Sequence, residues 1–262
     1  MKNQIINKII RRKKIAFLHV GRCGSTVVSR MLRQNNEFHN SEEIFLSYHE
    51  KGMNFSQKDI EELITKNENQ KISKFFAFET KFSSFDSWGG GDLSKNCLNI
   101  EINEYLQILK KLNYKYVIIL ERKNHLKRIL SILMGRKTGV WHSANSIENS
   151  SAISIDVKLR DNENNEFFDL IEYMNNIDKD INNLRKNVSD LEVLNLNYEE
   201  HIEKNPKIAY EMVCNFIGIK NPVKPNINFK KTNTDLLKNK LSNYNELKSY
   251  LSSSKYLWML EE

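Results

Sequence analysis

Gly21-Arg22-Cys23-Gly24-Ser25-Thr26 gathers two glycines, a guanidinium and two hydroxyls into one short turn. Ahead of it, Ile15 to Val20 is an apolar run of the kind that forms a buried parallel strand. Behind it, Val27, Val28, Met31 and Leu32 recur at helical spacing. The first amides of a helix lack internal partners, and the helix dipole concentrates partial positive charge there. A strand, a glycine-bounded turn and a helix start beside an arginine therefore make a seat for an oxyanion. A lone Gly-x-x-Gly would favour a plain strand-to-helix connection; the arginine and hydroxyls turn the balance to the anion.

Spacing tests which anion loop this is. A Walker A loop needs four residues between its glycines and then a lysine before Ser or Thr. This turn has two, and no lysine precedes Ser25. A cysteine phosphatase loop needs five residues between Cys and Arg, whereas Cys23 and Arg30 enclose six. A dinucleotide fingerprint wants a third glycine and an acid on a second strand. None of the three fits.

HVGRCGSTVVSRML, residues 19–32, resembles the 5′-phosphosulfate loop of sulfotransferases that use 3′-phosphoadenosine 5′-phosphosulfate (PAPS), in their bacterial carbohydrate and lipopolysaccharide branch. The resemblance implies that Arg22, Cys23, Gly24, Ser25 and Thr26 cradle the donor's phosphosulfate. The usual residue at position 22 of that loop is lysine. Arginine supplies charge and hydrogen bonds but no proton for the leaving group. A second block, YKYVIILERKNHLKRILS (114–131), reads as a buried strand and a following helix. Arg122 and Ser131 there resemble the pair that holds the donor's 3′-phosphate, which suits a dianion's need for a charged planar fork and a hydroxyl. VIILE also resembles a Walker B strand with Glu121 as its acid, a rival weakened by the missing lysine.

A third block, LEVLNLNYEEHIEKNPKIAYEMVCNFIGI (191–219), is strand, turn and helix, with Asn205 as N-cap, Pro206 at the first helical position and Gly218 as stop. Its apolar face is expected along Ile208, Met212 and Phe216, with Ala209, Val213 and Ile217 beside it. The resemblance implies that Tyr198 touches the adenine, while the residue by itself reads equally as core packing with a satisfied hydroxyl. NNEFHNSEEIFLSYHE resembles the segment that carries the family's general base, which selects Glu43, with His39 as second choice because imidazole titrates near neutrality. His19, ending a buried strand, reads as a hydrogen-bonded core residue. FAFETKFSSFD (76–86) resembles a further block of the branch. Glu79 and Lys81 there either line the acceptor cleft or form a cross-strand ion pair. Trp141 and His142 suit a sugar face or a loop packed on the core, and Lys230 and Lys231 reach for phosphate or stay solvated. No metal is required by this chemistry.

The 262 residues, 40% hydrophobic, suffice for one α/β domain, expected over 15–262 behind a basic extension at 1–14. A net charge of +7 matches a polyanionic ligand and leaves peripheral contact with an anionic membrane open. No RNA-binding aromatic signature, zinc-ligand spacing or heptad-bearing basic region is present, so no nucleic-acid partner is expected. Cys23, Cys97 and Cys214 are odd in number, without close partners, and read as reduced thiols. With no signal-peptide pattern and no run of roughly 20 apolar residues, a cytoplasmic setting is expected.

Strands are predicted near 15–20, 74–80, 115–121 and 191–196, and helices near 25–35, 57–68, 101–112, 123–135, 166–187 and 205–217. Leu170, Met174, Ile177, Ile181, Leu184 and Val188 keep one stripe through the fifth helix. The alternation implies a P-loop-like three-layer fold with a mainly parallel central sheet. The function expected from the resemblance is transfer of a sulfuryl group from PAPS to a hydroxyl of a carbohydrate or glycolipid. The alternatives are a nucleoside triphosphate-dependent kinase or ATPase with a degenerate loop, and an inactive anion-binding module.

Overall fold

A computed structural model describes residues 12–46, 55–82, 100–140, 152–160, 167–227 and 236–260. Cys97, Trp141, His142, Lys230 and Lys231 lie outside these residues.

The predicted apolar runs form β1 (Lys13–His19), β3 (Phe75–Lys81), β4 (Tyr116–Glu121) and β7 (Glu192–Asn197). Polar β2 (Phe38–Glu43) joins them at one edge, and the five-stranded sheet runs β2-β3-β1-β4-β7. Every pairing in it is parallel. A parallel sheet collects the carboxyl ends of all its strands along one edge, where ligands bind in open α/β folds.

β1 starts before the predicted Ile15, and the last residues of the expected extension are built into the sheet. Arg12 is buried, its guanidinium donating to the carbonyls of Glu68, Lys71 and Ser73. Lys13 and Lys14 donate to the carbonyls of Ile217 and Leu112, each at 2.9 Å. These long cations spend their charge on helix and turn carbonyls at the amino edge, far from the loop after β1.

The helices are α1 (Ser25–Leu32), α2 (Gln57–Glu68), α3 (Ile102–Lys111), α4 (His125–Thr138), α5 (Leu170–Asn187), α6 (Tyr198–His201), α7 (Lys207–Ile217), α8 (Leu237–Lys240) and α9 (Tyr244–Leu251), followed by a 3₁₀ turn at Leu257–Leu260. α1 packs on α7, α2 on α3, and α3 on α5, so helices flank the sheet in a three-layer α/β fold. The predicted stripe of α5 from Leu170 to Val188 is buried throughout. The helix begins four residues later than predicted, because Asp169 caps it by accepting from the amides of Ile171 and Glu172. Ahead of that cap, β6 (Phe167–Asp169) pairs antiparallel with β5 (Lys158–Arg160).

The face of α7 is rotated from the expected one. Ala209, Tyr210, Val213, Cys214 and Ile217 are buried, while Ile208 is 39% exposed. Gly218 ends the helix as predicted, in the left-handed conformation at φ 76°. Among the described residues, no helix is long and apolar enough to cross a membrane.

Candidate active site at the carboxyl edge of the sheet

The loop from β1 to α1 turns on left-handed backbone at Gly21 (φ 70°), Arg22 (φ 51°) and Gly24 (φ 86°). Gly24 is needed twice over. Its φ disfavours any side chain, and a Cβ there would stand 2.9 Å from Ile202 Cγ2 and 3.1 Å from the Tyr198 ring. No side chain caps α1, so its leading amides remain the cationic end of a helix that opens on this loop. Ser25 is buried beside Gly24, Thr26 is half-buried, and Cys23 is fully buried.

The predicted 3′-phosphate residues come to the same place. Arg22 Nε donates to Ser131 Oγ at 3.0 Å, and Arg122 Nη1 donates to the backbone carbonyl of Arg22 at 3.3 Å. The Arg122 guanidinium also lies over the Tyr198 ring, 4.4 Å from its centroid. Tyr198 thus serves as a platform for Arg122 and as the wall against Gly24. Burial pushes its phenol above the ordinary value, so it stays neutral. Arg22, Arg122, Ser131, Tyr198 and Gly24 form one contiguous group at the ends of β1, β4 and β7.

Two residues with no role predicted from sequence set this group. The Glu199 carboxylate accepts from the amides of Lys123 (3.1 Å) and Asn124 (2.9 Å), and lies 4.0 Å from Arg122 Nε. It fixes the turn between β4 and α4, the turn that carries Arg122. Arg128, fully buried on α4, donates to the Val20 carbonyl at 2.8 Å and to the Tyr173 hydroxyl at 2.6 Å. That bond ties the helix bearing Ser131 to the residue just ahead of Gly21. An arginine inside an apolar helical pattern was the available signal for it. The rival Walker B acid, Glu121, accepts from Arg185 Nη2 at 2.6 Å and is buried in that ion pair.

The other half of the edge is acidic. In β2 the register shifts between Asn40 and Glu43, with Glu42 left-handed at φ 58°. Asn40 Oδ1 stabilises this bulge by accepting the Glu42 amide at 2.8 Å. The extra residue moves Glu43 onto the face of Asn40, opposite Glu79, and leaves Glu42 to an exposed ion pair with Arg33. Glu43 Oε2 lies 3.1 Å from Lys81 Nζ, the predicted kind of cross-strand ion pair with a different partner. Buried Glu79 instead accepts from Ser29 Oγ, and from Asn40 Nδ2 at 3.1 Å. His19 Nε2 stands 3.5 Å from Glu79 Oε2. His19, Glu43 and Glu79 offer ligand atoms all within 4.8 Å of one another. They are the side chains here that could hold a metal ion, although Lys81 already brings a positive charge to Glu43.

His39 does not join this group, which corrects its choice as second base. It lies opposite Phe76, three positions along β3 from Glu79, the residue opposite Glu43, a rise of about 10 Å. Burial lowers its imidazole pKa, helped by Lys71, Arg12 and Arg33, so it is a neutral ring toward the amino edge.

A crystal structure of a sulfotransferase from Alicyclobacillus acidocaldarius matches this chain with a TM-score of 0.50 at 10% sequence identity, covering 95% of this chain and 94% of that one. No protein-family model matches, and no curated protein matches by sequence. At that identity the likeness is one of fold, and the chain shares its α/β architecture with that bacterial sulfotransferase.

Proposed function

We propose that the chain is a cytoplasmic sulfotransferase that moves the sulfuryl group of PAPS to a hydroxyl of a carbohydrate or glycolipid. The observation that carries this reading is the convergence of Arg22, Ser131, Arg122 and Tyr198 around an uncapped helix start. A nucleotide with phosphate at both its 3′ and 5′ positions needs two cationic pockets joined by an aromatic or apolar wall. The fold shared with a sulfotransferase, and the loop's resemblance to a phosphosulfate loop, support the same assignment.

In the proposed reaction the acceptor oxygen attacks sulfur in line. Its bond forms as the sulfur–oxygen bond to the adenosine bisphosphate breaks, and the bisphosphate departs with the electron pair. Glu43 takes the acceptor's proton, a contribution of about 10²–10⁴-fold for a placed base. Lys81 orients that carboxylate. Arg22 and the leading amides of α1 hold the charge that grows on the bridging and nonbridging oxygens. Arg122 and Ser131 hold the 3′-phosphate.

A thermal-shift comparison tests the donor. Adenosine 3′,5′-bisphosphate at 100 times its dissociation constant should stabilise the protein by about 2.7 kcal/mol, and ATP with magnesium should not match it. Stabilisation by ATP alone would transfer the assignment to a kinase or ATPase. Transfer of labelled sulfate to a glycan and glycolipid panel separates an enzyme from an inactive anion-binding module.

A further inference from the structure

His19 belongs to neither the donor-binding set nor the proposed base, yet it touches both halves of the edge. It closes β1, in register with Lys81 on one side and Leu120 on the other, and is 1% exposed. The Gly21 amide donates to its Nδ1 at 3.1 Å. A nitrogen that accepts a hydrogen bond carries no proton, so the neutral ring holds its proton on Nε2. That atom faces Glu79 Oε2 at 3.5 Å, and the other Glu79 oxygen is fixed by Ser29 and Asn40. Asn40 in turn shapes the bulge that presents Glu43. From Gly21 to Glu43 the contacts run amide, imidazole, carboxylate, carboxamide and bulge, the imidazole and carboxylate meeting electrostatically at 3.5 Å and the others through hydrogen bonds.

We propose that His19 is a positioning residue that holds the first amide of the anion loop in register with the carboxylates of the acceptor half. Glu79 selects the tautomer, and the tautomer selects the Gly21 amide as the loop's anchor. Gly21 sits at φ 70°, a conformation that needs an outside contact to choose it among those open to glycine. The binding arm of the test below rests on the proposed donor; the other arms do not.

Nitrogen-15 spectra of the unmodified protein should show His19 as the neutral Nε2–H tautomer, with a protected Gly21 amide. A proton on Nδ1 would overturn the proposal without any variant. His19→Asn keeps an acceptor at the Nδ1 position and loses the atom that faces Glu79. His19→Gln does the reverse, keeping a donor toward Glu79 and losing the acceptor for Gly21. Gly21 amide exchange should speed up in His19→Gln and stay near the unmodified rate in His19→Asn. Bisphosphate affinity should fall about tenfold in His19→Gln, the worth of one lost hydrogen bond, and stay within about threefold in His19→Asn. Equal losses in both variants, or unchanged exchange in His19→Gln, would sink the proposal. If the unmodified protein binds no bisphosphate, the donor assignment fails, while tautomer and exchange still decide the role of His19.

Discussion

The two halves of the sheet's carboxyl edge are built on opposite plans. On the β1, β4 and β7 side, arginines meet backbone carbonyls, a serine and an aromatic ring, with each cation seated by short turns between central elements. On the β2 and β3 side, carboxylates gather on the sheet's edge and are placed by a backbone bulge. β1 and β4, whose ends carry Arg22 and Arg122, are gripped by a neighbour on each side, so a seat built on them recognises one rigid ligand. An edge strand with a bulge can be re-aimed without disturbing the core. This division suits a reaction with one donor nucleotide and an acceptor of variable shape.

Glu43→Gln strikes hardest at that contrast. Transfer should fall by about 10²–10⁴-fold, the share of a positioned base, while calorimetry finds bisphosphate affinity unchanged. A parallel loss of affinity would mean that the two halves do not work separately. Unchanged turnover would remove Glu43 as base, and geometry would pass the role to Glu79 rather than to distant His39.

Gly24→Ala should damage the cationic half through its scaffold. The left-handed φ of 86° and the 2.9 Å approach to Ile202 cannot both be relieved in place. Strain and overpacking together should cost about 2–4 kcal/mol in denaturant unfolding. A loss below half a kilocalorie would mean that the loop has room the structure does not show.

Arg122→Ala should weaken the bisphosphate by about 1.5–3 kcal/mol, the worth of a charged hydrogen bond, and leave adenosine 5′-phosphate little affected. Equal affinity of the unmodified protein for the two nucleotides would show that Arg122 does not read the 3′ group. The variant would then report only the loss of packing on Tyr198.

The cationic half was legible in sequence because β1 and β4 carry long apolar runs, with the arginines and glycines at their ends. β1, β3 and β4 announce themselves through Phe17, Phe76, Ile118 and their neighbours, all buried, whereas β7 (EVLNLN) is buried only at its carboxyl end. β2 does not announce itself. FHNSEE is a polar edge strand with no apolar alternation, so neither its existence nor the bulge that separates Glu43 from Glu42 could be read. His39 was misplaced for the same reason, since its distance from Glu43 depends on an extended strand. The phase of α7 failed because Ile208, Ala209, Met212, Val213, Phe216 and Ile217 make two adjacent apolar stripes, and only packing on α1 chooses between them. Arg128 stands out as a charge inside an apolar helical pattern, but its partners, like the amides that Glu199 accepts from, leave no mark in the sequence.

The smallest expected effect comes from a region outside both halves and calibrates the rest. On α5, burial pushes the Asp180 carboxyl up to about 6, with only neighbouring Lys179 pulling it back. In the unfolded chain the same group titrates near about 3.9. Below pH ~4 both states hold the proton and the carboxyl imposes no charge penalty. Between about pH 4 and 6 the folded state binds a proton that the unfolded state has lost, so stability falls as pH rises. Above the folded value the penalty is complete. Asp180→Asn should therefore raise unfolding free energy at pH 7.5 by about 1 kcal/mol, after allowance for solvent screening, and change nothing at pH 3.5. Bisphosphate affinity and turnover should stay at the level of the unmodified protein, because the contacts of α5 toward the edge run through Tyr173, Asp178 and Arg185 and not through Asp180. A change in turnover without a change in stability would tie Asp180 to the site and break the two-part division of the edge.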